Sequence, residues 1–184
     1  MSHKYLDIAF TPEVQAVQTE KGSRLAYSRH EAGPDVAHEL TEREKLFIAE
    51  RDSVYMATVN SDGWPYIQHR GGAPGFMKVL DDNTIGFADF RGNRQYVTVG
   101  NLTSNERVSL FFMDYPNRRR LKMFGLAETI DAEDSRMAKL QDVGYKAKVE
   151  RGMLITVQGF DWNCPQHITP RFSEQEIQAM MAEG

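Results

Sequence analysis

A strand end rich in polar donors is the first feature of this sequence that could do chemistry. Gln68, His69 and Arg70 stand side by side, and Gly71 begins a glycine-rich stretch after them. Adjacent strand residues face opposite sides, so Gln68 and Arg70 would share one face and His69 the other. The glycines would let a ligand approach backbone N–H groups, and the arginine fork suits phosphate. A polar strand end before a Gly-Pro loop is the alternative.

A second cluster lies in the stretch ADFRGNRQ, which spans Ala88 to Gln95. Gly92 and Asn93 can form a turn and a helix cap, which would place Arg94 in the first turn of a following helix. The N–H groups of a helix N-terminus and a guanidinium together form a small anion site. A capped surface turn is the alternative. Because the intervening strands would bring residues 70 and 94 together, we predict that both arginines hold one phosphate.

Two further stretches contain cations. The run NRRRLK, from Asn117 to Lys122, enters a predicted strand and would project alternate side chains together toward one compact anion. The segment DWNCPQHITPRF, from Asp161 to Phe172, would form a lid over a planar ligand. Within it, Cys164 and His167 have metal-like spacing, but a zinc site needs four ligands, or three with water, and the sequence offers no second pair. We therefore expect no metal.

Composition excludes several function classes. The 184 residues are 41% apolar and 26% charged, which fits one globular protein. The net charge of −4 offers no general attraction to nucleic acids or anionic membranes. The single cysteine excludes an internal disulfide framework, and the longest apolar run, Leu110 to Met113, is too short to span a bilayer. With no signal sequence and no triad-hydrolase, Rossmann or zincin motif, we expect a cytoplasmic protein outside those classes.

Short strands dominate the elements that must position these residues. The pattern predicts strands over 54–60, 65–70, 76–80, 84–88, 107–114, 119–130 and 152–162, and helices over 41–52, 132–145 and 173–182. Residues 93–105 fit either a strand or a helix. Six or seven strands with few helices predict a mainly β fold, a small closed barrel with peripheral helices. We divide the chain into an arm with one short helix (1–40), a barrel domain (41–172) and a C-terminal helix (173–184).

The order of these motifs resembles a known family. The runs VYMATVNSDGWPYIQHRGG and GNRQYVTVGNLTSNERVSLFFMDYPNRRRLKMFGLAETI resemble the pyridoxamine 5′-phosphate oxidase-like proteins, the FMN-binding split barrels. The similarity spans about residues 41 to 172. The motifs QHRGG, GNR and WNCPQHI are most similar to a branch of oxidase-related flavoproteins. The resemblance implies a split barrel, an FMN cofactor and a homodimer whose flavin sites lie between two chains.

The resemblance also implies which residues contact the cofactor. The strand from Gln68 to Gly71 would lie along FMN, and Asn93, Arg94 and Gln95 match a family phosphate motif of Ser, Arg and Lys, so that the Lys is lost. Arg120 matches a glutamine that reaches the flavin of the neighbouring subunit, while Trp162 and Arg171 match a C-terminal tryptophan and arginine. The implied cofactor residues are Gln68, His69, Arg70, Gly71, Asp89, Phe90, Asn93, Arg94, Gln95, Arg120, Trp162 and Arg171.

Two departures from the family pattern limit what the resemblance implies about substrate. The Arg-x-His pair that grips pyridoxamine phosphate is replaced by residues 167–170, HITP, and the phosphate-binding helix is replaced by residues 135–145, SRMAKLQDVGY. We therefore expect an FMN-dependent oxidoreductase for another small molecule, with NAD(P)H or oxygen as redox partner. The alternatives are a flavin carrier or sensor without turnover, and the same barrel binding heme or F420.

Overall fold

Short segments rich in β-branched, aromatic and other apolar residues form the strands of this protein. The computed structural model describes residues 3–31, 37–142, 144–162 and 165–182. Within these ranges, the strands are β1 (Ser53–Val59), β2 (Pro65–Gly71), β3 (Lys78–Val79), β4 (Thr84–Phe90), β5 (Arg107–Asp114), β6 (Arg119–Asp131) and β7 (Val149–Trp162). They form one antiparallel sheet in the order β2-β1-β5-β6-β7-β4-β3. The predicted mainly β fold, a six- to seven-stranded split barrel, is confirmed.

One face of the sheet encloses the hydrophobic core. Along β1, Val54 and Met56 are buried, and along β5, Leu110 and Phe112 are buried, while the residues between them face outward. This period of two is what a strand requires when one face is covered. The outward face of β1, β2 and β5 is therefore left to form surface sites.

The sheet has two ends that do not meet by backbone pairing. Strands β2 and β3 lie at the ends of the strand order, and no ladder joins them in the described part of the chain. Strand β3 has only two residues, so it offers little edge for pairing. The closed barrel expected from strand count alone is therefore a split one.

The helices surround this sheet. Among the described residues they are α1 (Lys4–Ala9), α2 (Pro12–Glu20), α3 (Arg24–Glu31), α4 (Glu42–Ala49), α5 (Val97–Leu102) and α6 (Glu174–Ala182). Capping boxes begin two of these helices, where the sequence places Glu44 three residues after Thr41 and Glu176 three residues after Ser173. The Glu44 carboxylate accepts from the Thr41 backbone N–H at 3.2 Å, and that of Glu176 accepts from the Ser173 backbone N–H at 2.7 Å. No helix within these ranges is long and apolar enough to cross a membrane.

The expectation of one short helix in the arm is wrong, because three helices form there. Gly22 adopts φ +77° between α2 and α3, so the break marks a turn between two helices instead of a long irregular segment. Helix α1 packs on the sheet, where the Tyr5 ring stacks on Phe124 with centroids 4.8 Å apart. Gly159 of β7 permits this contact, since a Cβ there would lie 2.7 Å from the Tyr5 backbone nitrogen.

Two other predicted elements are also wrong in extent or type. The strand expected over 76–80 is reduced to β3, because Gly75 turns the chain at φ +77° and the next two side chains enter the core. The helix expected over 132–145 is a 3₁₀ turn, Ser135–Lys139, begun by Asp134. Met137 and Leu140 are buried, and their spacing of three residues suits such a turn. Residue 143 lies outside the described residues.

The ambiguous segment 93–105 contains helix α5, preceded by a loop. Because α5 begins at Val97, Arg94 lies in that loop with φ +62°, and its predicted place in the first helical turn is wrong. The helix is anchored from its buried side, where Asn101 Nδ2 donates to Thr58 Oγ1 at 2.9 Å. The loop and α5 together stand over the end of β2.

Candidate functional site

A pocket of about 200 Å³ lies where β2, β4, the loop before α5 and α5 itself meet. We call it the arginine pocket. Its lining residues include Tyr66, Gln68, Arg70, Asp89, Phe90, Gly92, Asn93, Arg94, Gln95, Tyr96, Thr98 and Glu150. Strands β2 and β4 lie far apart in the sheet order, so the pocket spans the split in the barrel.

Alternation along β2 decides which of its polar residues enter the arginine pocket. Gln68 and Arg70 line the pocket, whereas the His69 ring stands on the other face, with its centroid 5.6 Å from that of Tyr55. The Gln68 Oε1 atom accepts from the hydroxyls of Tyr66 at 3.4 Å and Thr98 at 3.3 Å. These two hydrogen bonds orient the amide of Gln68 through its oxygen, and neither of them involves its NH₂ group.

A buried carboxylate, Asp89, lies at the inner wall of the arginine pocket. Its Oδ1 accepts from Arg70 Nη1 at 2.8 Å, and its Oδ2 is 3.7 Å from Arg151 Nε. Burial raises the pKa of Asp89, and the nearby Glu150 charge adds to that rise, while Arg70 and Arg151 oppose it. Arg70 is thus already engaged by a carboxylate on the opposite side of the split.

Glu150 organises the outer part of the same pocket. Its Oε2 accepts from Arg151 Nη2 at 3.0 Å, and its Oε1 lies 3.6 Å from Arg91 Nε. Tyr96 donates its hydroxyl to Glu150 Oε1 at 3.5 Å and accepts from Arg94 Nε at 3.4 Å. The hydrogen bond to Tyr96 raises the pKa of Arg94, which remains a cation at any ordinary pH.

The charges in and around the arginine pocket do not balance. Four guanidinium groups, those of Arg70, Arg91, Arg94 and Arg151, stand against the two carboxylates of Asp89 and Glu150. The net charge of these six groups is therefore +2. Guanidinium groups hold phosphate oxygens by charge-assisted hydrogen bonds, so the cluster complements a phosphate dianion.

A second pocket, of about 460 Å³, lies on the outward face of β1, β2 and β5. We call it the tyrosine pocket. It is lined by Tyr55, Ala57, Ile67, Ser109, Phe111, Met113, Tyr115, Arg120, His167, Ile168, Thr169 and Arg171. A hydrogen bond with Tyr55 raises the pKa of Tyr115, helped by burial, and the Arg171 guanidinium carbon lies 5.0 Å from the Tyr115 ring centroid.

The predicted site residues fall into three groups. The arginine pocket brings together Gln68, Arg70, Asp89, Phe90, Asn93, Arg94 and Gln95. Arg120 and Arg171 line the tyrosine pocket. His69, Gly71 and Trp162 line neither pocket.

Two glycines after β2 serve chain packing, which corrects the expectation that their N–H groups would be available to a ligand. The N–H of Gly72 donates to Asp52 O, and that of Gly75 donates to Arg51 O, each at 2.9 Å, so neither is available as a bare donor. A Cβ on Gly71 would lie 3.1 Å from Asp52 O. These small residues allow β2 to end against the segment that enters β1.

Trp162 packs against helix α4. Its ring meets Phe47 edge-on with centroids 4.7 Å apart, and its Nε1 donates to the buried Glu44 carboxylate at 2.6 Å. The Arg43 guanidinium carbon lies 4.3 Å from the indole centroid. The tryptophan therefore links the end of β7 to the first helix of the barrel domain.

The basic run does not form one compact anion site, which corrects that expectation. Arg118 is exposed at the turn, Arg120 lines the tyrosine pocket, and Lys122 pairs with Asp161 at 2.9 Å on another part of the surface. Cys164, half of the metal-like pair, lies outside the described residues. Among the described residues, no group of three His, Cys, Asp or Glu side chains could hold a metal ion.

Sequence reasoning missed Tyr66, Tyr96, Thr98, Glu150 and Arg151. The last two were hidden because they enter the pocket only through the pairing of β4 with β7, where Asp89 stands opposite Arg151. The two strands are separated by more than fifty residues, so no local pattern reveals this register. Charged residues at the start of a strand that is otherwise apolar were the one available signal.

Comparisons with known proteins agree with this architecture. HupZ of Group A Streptococcus is similar over 72% of this chain and 99% of its own, with 19% identity and a TM-score of 0.53. A conserved hypothetical protein of Mycobacterium tuberculosis is similar over 77% of this chain and 96% of its own, with 18% identity and a TM-score of 0.51. At such identities, the likeness concerns the fold alone. No curated protein sequence matches the chain.

The family model described as pyridoxamine 5′-phosphate oxidase matches residues 40–154. The match includes β1 to β6 and the whole loop that carries Arg94, and it ends within β7. Since it covers more than half of the chain, the protein belongs to the pyridoxamine 5′-phosphate oxidase family.

Proposed function

We propose that this protein is an FMN-dependent oxidoreductase that acts on a small molecule other than pyridoxamine phosphate. Its family binds flavins, and the observation that supports FMN here is the excess of two positive charges around the arginine pocket. A terminal phosphate dianion would neutralise that excess. Riboflavin, which lacks the phosphate, would leave it uncompensated.

The donor set of the arginine pocket fits a phosphate. Arg70 Nε is buried and has no hydrogen-bond partner in the described part of the chain, although Arg70 Nη1 is engaged by Asp89. An unsatisfied buried donor is costly, so a ligand oxygen at this place would be favourable. Arg94 and Gln95 are exposed on the loop above it and can close over the same group.

The arginine pocket is too small to hold the whole of FMN. At about 200 Å³ it is smaller than the roughly 300 to 1,000 Å³ of sites that enclose a drug-sized ligand. We propose that it holds the phosphate end, and that the isoalloxazine ring extends over a second surface. When bound, the ring supplies hydride and electron transfer.

A second copy of the chain would provide that surface. The lining of the tyrosine pocket is largely aromatic and apolar, with two arginines and no carboxylate, which suits a planar aromatic ring that gains negative charge on reduction. Ile67, which is 64% exposed, lines this pocket beside the half-buried Tyr55 and Phe111, and an apolar patch of this kind is typical of a subunit interface. We therefore propose a homodimer in which the arginine pocket of one chain and the tyrosine pocket of its partner share each flavin.

The absorption spectrum of the purified protein tests the cofactor. We expect flavin bands, and FMN as the species released on denaturation and separated on a calibrated column. FAD as the main species, a heme Soret band or the spectrum of F420 would refute the FMN assignment. Reduction of the yellow protein by NADH or NADPH, followed by reoxidation in air, would then separate an oxidoreductase from a flavin carrier or sensor, which would not turn over.

A further inference from the structure

We propose that Glu150 is a positioning residue that holds Arg94 toward the phosphate of the bound flavin, with Tyr96 between them. This inference rests on the proposed function, because it concerns the same anion. It assigns a role to two residues, Glu150 and Tyr96, that do not themselves supply positive charge.

A β-bulge brings Glu150 into the arginine pocket. In the pairing of β4 with β7, Asp89 stands opposite Arg151 and Phe90 stands opposite Val149, so Glu150 is the extra residue. A bulge re-aims side chains that would otherwise alternate across the sheet. As a result, Glu150 lines the pocket while Arg151, its neighbour, also reaches Asp89 inside it.

Two consecutive hydrogen bonds connect Arg94 to Glu150 through the hydroxyl of Tyr96. Arg94 Nε donates to the Tyr96 hydroxyl at 3.4 Å, and that hydroxyl donates to Glu150 Oε1 at 3.5 Å. Arg151 holds both Tyr96 and Glu150 in place, because its guanidinium carbon lies 5.0 Å from the Tyr96 ring centroid and its Nη2 donates to Glu150 at 3.0 Å. The exposed Arg94 is thus tied to a carboxylate that is only 17% exposed.

The backbone of the loop also requires such restraint. Arg94 has φ +62° and Tyr96 has φ +53°, in the left-handed region that residues other than glycine seldom adopt. Such conformations persist where surrounding contacts fix them. The Tyr96 contacts with Glu150 and Arg151 are contacts of this kind, and they hold the loop in the form that directs Arg94 over the pocket.

Charge alone predicts the opposite effect of Glu150. A carboxylate near a bound phosphate repels it, so neutralising Glu150 would strengthen phosphate binding by Coulomb's law. If Glu150 positions Arg94, neutralising it releases the arginine and weakens binding. The sign of the change in affinity therefore distinguishes the two roles.

The experiment titrates the flavin-free full-length protein with FMN and, separately, with riboflavin. The variants are Glu150→Gln, Tyr96→Phe and the double variant, with Glu174→Gln on α6 as a control that removes one negative charge outside the pocket. We expect each single variant to weaken FMN binding about threefold to tenfold, the worth of one hydrogen-bonding contact. Riboflavin affinity should not change. The double variant should bind FMN as tightly as the single variant of lower affinity, because both changes interrupt the same series of hydrogen bonds.

The outcomes separate this inference from the proposed function. Wild-type protein that binds neither flavin, or binds riboflavin as tightly as FMN, would overturn the proposed phosphate site itself. Wild-type protein that prefers FMN, together with a Glu150→Gln variant that binds FMN equally or more tightly, would overturn the positioning role alone. Equal losses for FMN and riboflavin would also overturn it, because they would indicate a general structural defect.

Discussion

Arg70 and Asp89 connect the two sides of the split barrel. Nη1 of Arg70, on β2 at one end of the sheet, donates to Oδ1 of Asp89, on β4 next to the other end, at 2.8 Å. The two side chains are 15% and 10% exposed. Where backbone ladders do not close the barrel, this ion pair joins its sides, and it does so inside the pocket that we assign to phosphate.

We predict that Arg70→Ala destabilises the fold. Removing one partner of a buried ion pair costs roughly 3 to 5 kcal/mol, and because Arg151 still neighbours Asp89 we expect a loss of about 2 to 3 kcal/mol. Chemical denaturation of the flavin-free protein measures this loss. The double-mutant cycle with Asp89→Ala provides the control, and additive losses would show that the two residues do not stabilise each other.

The raised pKa of Asp89 predicts how stability depends on pH. The pKa of an aspartate in the unfolded chain is about 3.9, and the folded protein raises the pKa of Asp89 above it. Between these two pKa values, folding favours the protonated form of Asp89. The stability that Asp89 contributes is fully present below the unfolded pKa and is lost as pH rises through the folded pKa. We expect the free energy of unfolding of wild type minus that of Asp89→Asn to fall from about pH 4 toward neutrality. A rise over the same range would show that pairing with Arg70 outweighs burial.

Local patterns predicted much of the fold, and long-range register supplied the rest. The β-forming residues around Met56 and Leu110 predicted those two strands, and the capping box at Thr41 located α4. By contrast, Met137 and Leu140 have a spacing shared by helices and 3₁₀ turns, so the sequence could not distinguish them. Glu150 depends on a bulge, and a bulge exists only relative to a partner strand that is distant in sequence.

Trp162→Phe tests whether this tryptophan acts through α4 or through the cofactor. The change removes the indole N–H that donates to the buried Glu44 carboxylate at 2.6 Å. We expect a loss of about 1 to 3 kcal/mol in the free energy of unfolding, the cost of depriving a buried acceptor of a donor. Because Trp162 lines neither pocket, FMN affinity should remain within about twofold of wild type. A tenfold loss of affinity with unchanged stability would instead support the cofactor contact implied by the family resemblance.

The proposed homodimer predicts that a charge on the outward face of β2 separates the subunits. Ile67→Asp should shift the protein from dimer to monomer in sedimentation velocity at micromolar concentration, because an unpaired carboxylate would be buried in the interface. Leu46→Asp is the matched control, since Leu46 on α4 is 63% exposed, compared with 64% for Ile67, and lies outside the tyrosine pocket. A wild-type monomer that retains its flavin, or equal effects of the two variants, would refute the proposed interface.

Arg94 should contribute far more to FMN affinity than Arg118 does. Arg94 lines the arginine pocket and is directed by Tyr96, whereas Arg118 is exposed at the turn between β5 and β6 and lines neither pocket. A charge-assisted contact with phosphate is typically worth a factor of about ten to one hundred in affinity. An exposed charge elsewhere acts through solvent and salt, which screen it. Each alanine variant loses one positive charge, so the pair controls for the change in net charge. Titration of flavin-free protein at fixed salt should therefore give a tenfold or greater loss for Arg94→Ala and less than a threefold loss for Arg118→Ala. If the two variants bind FMN equally, Arg94 is not the phosphate ligand. The positioning role that we propose for Tyr96 and Glu150 would then be refuted as well.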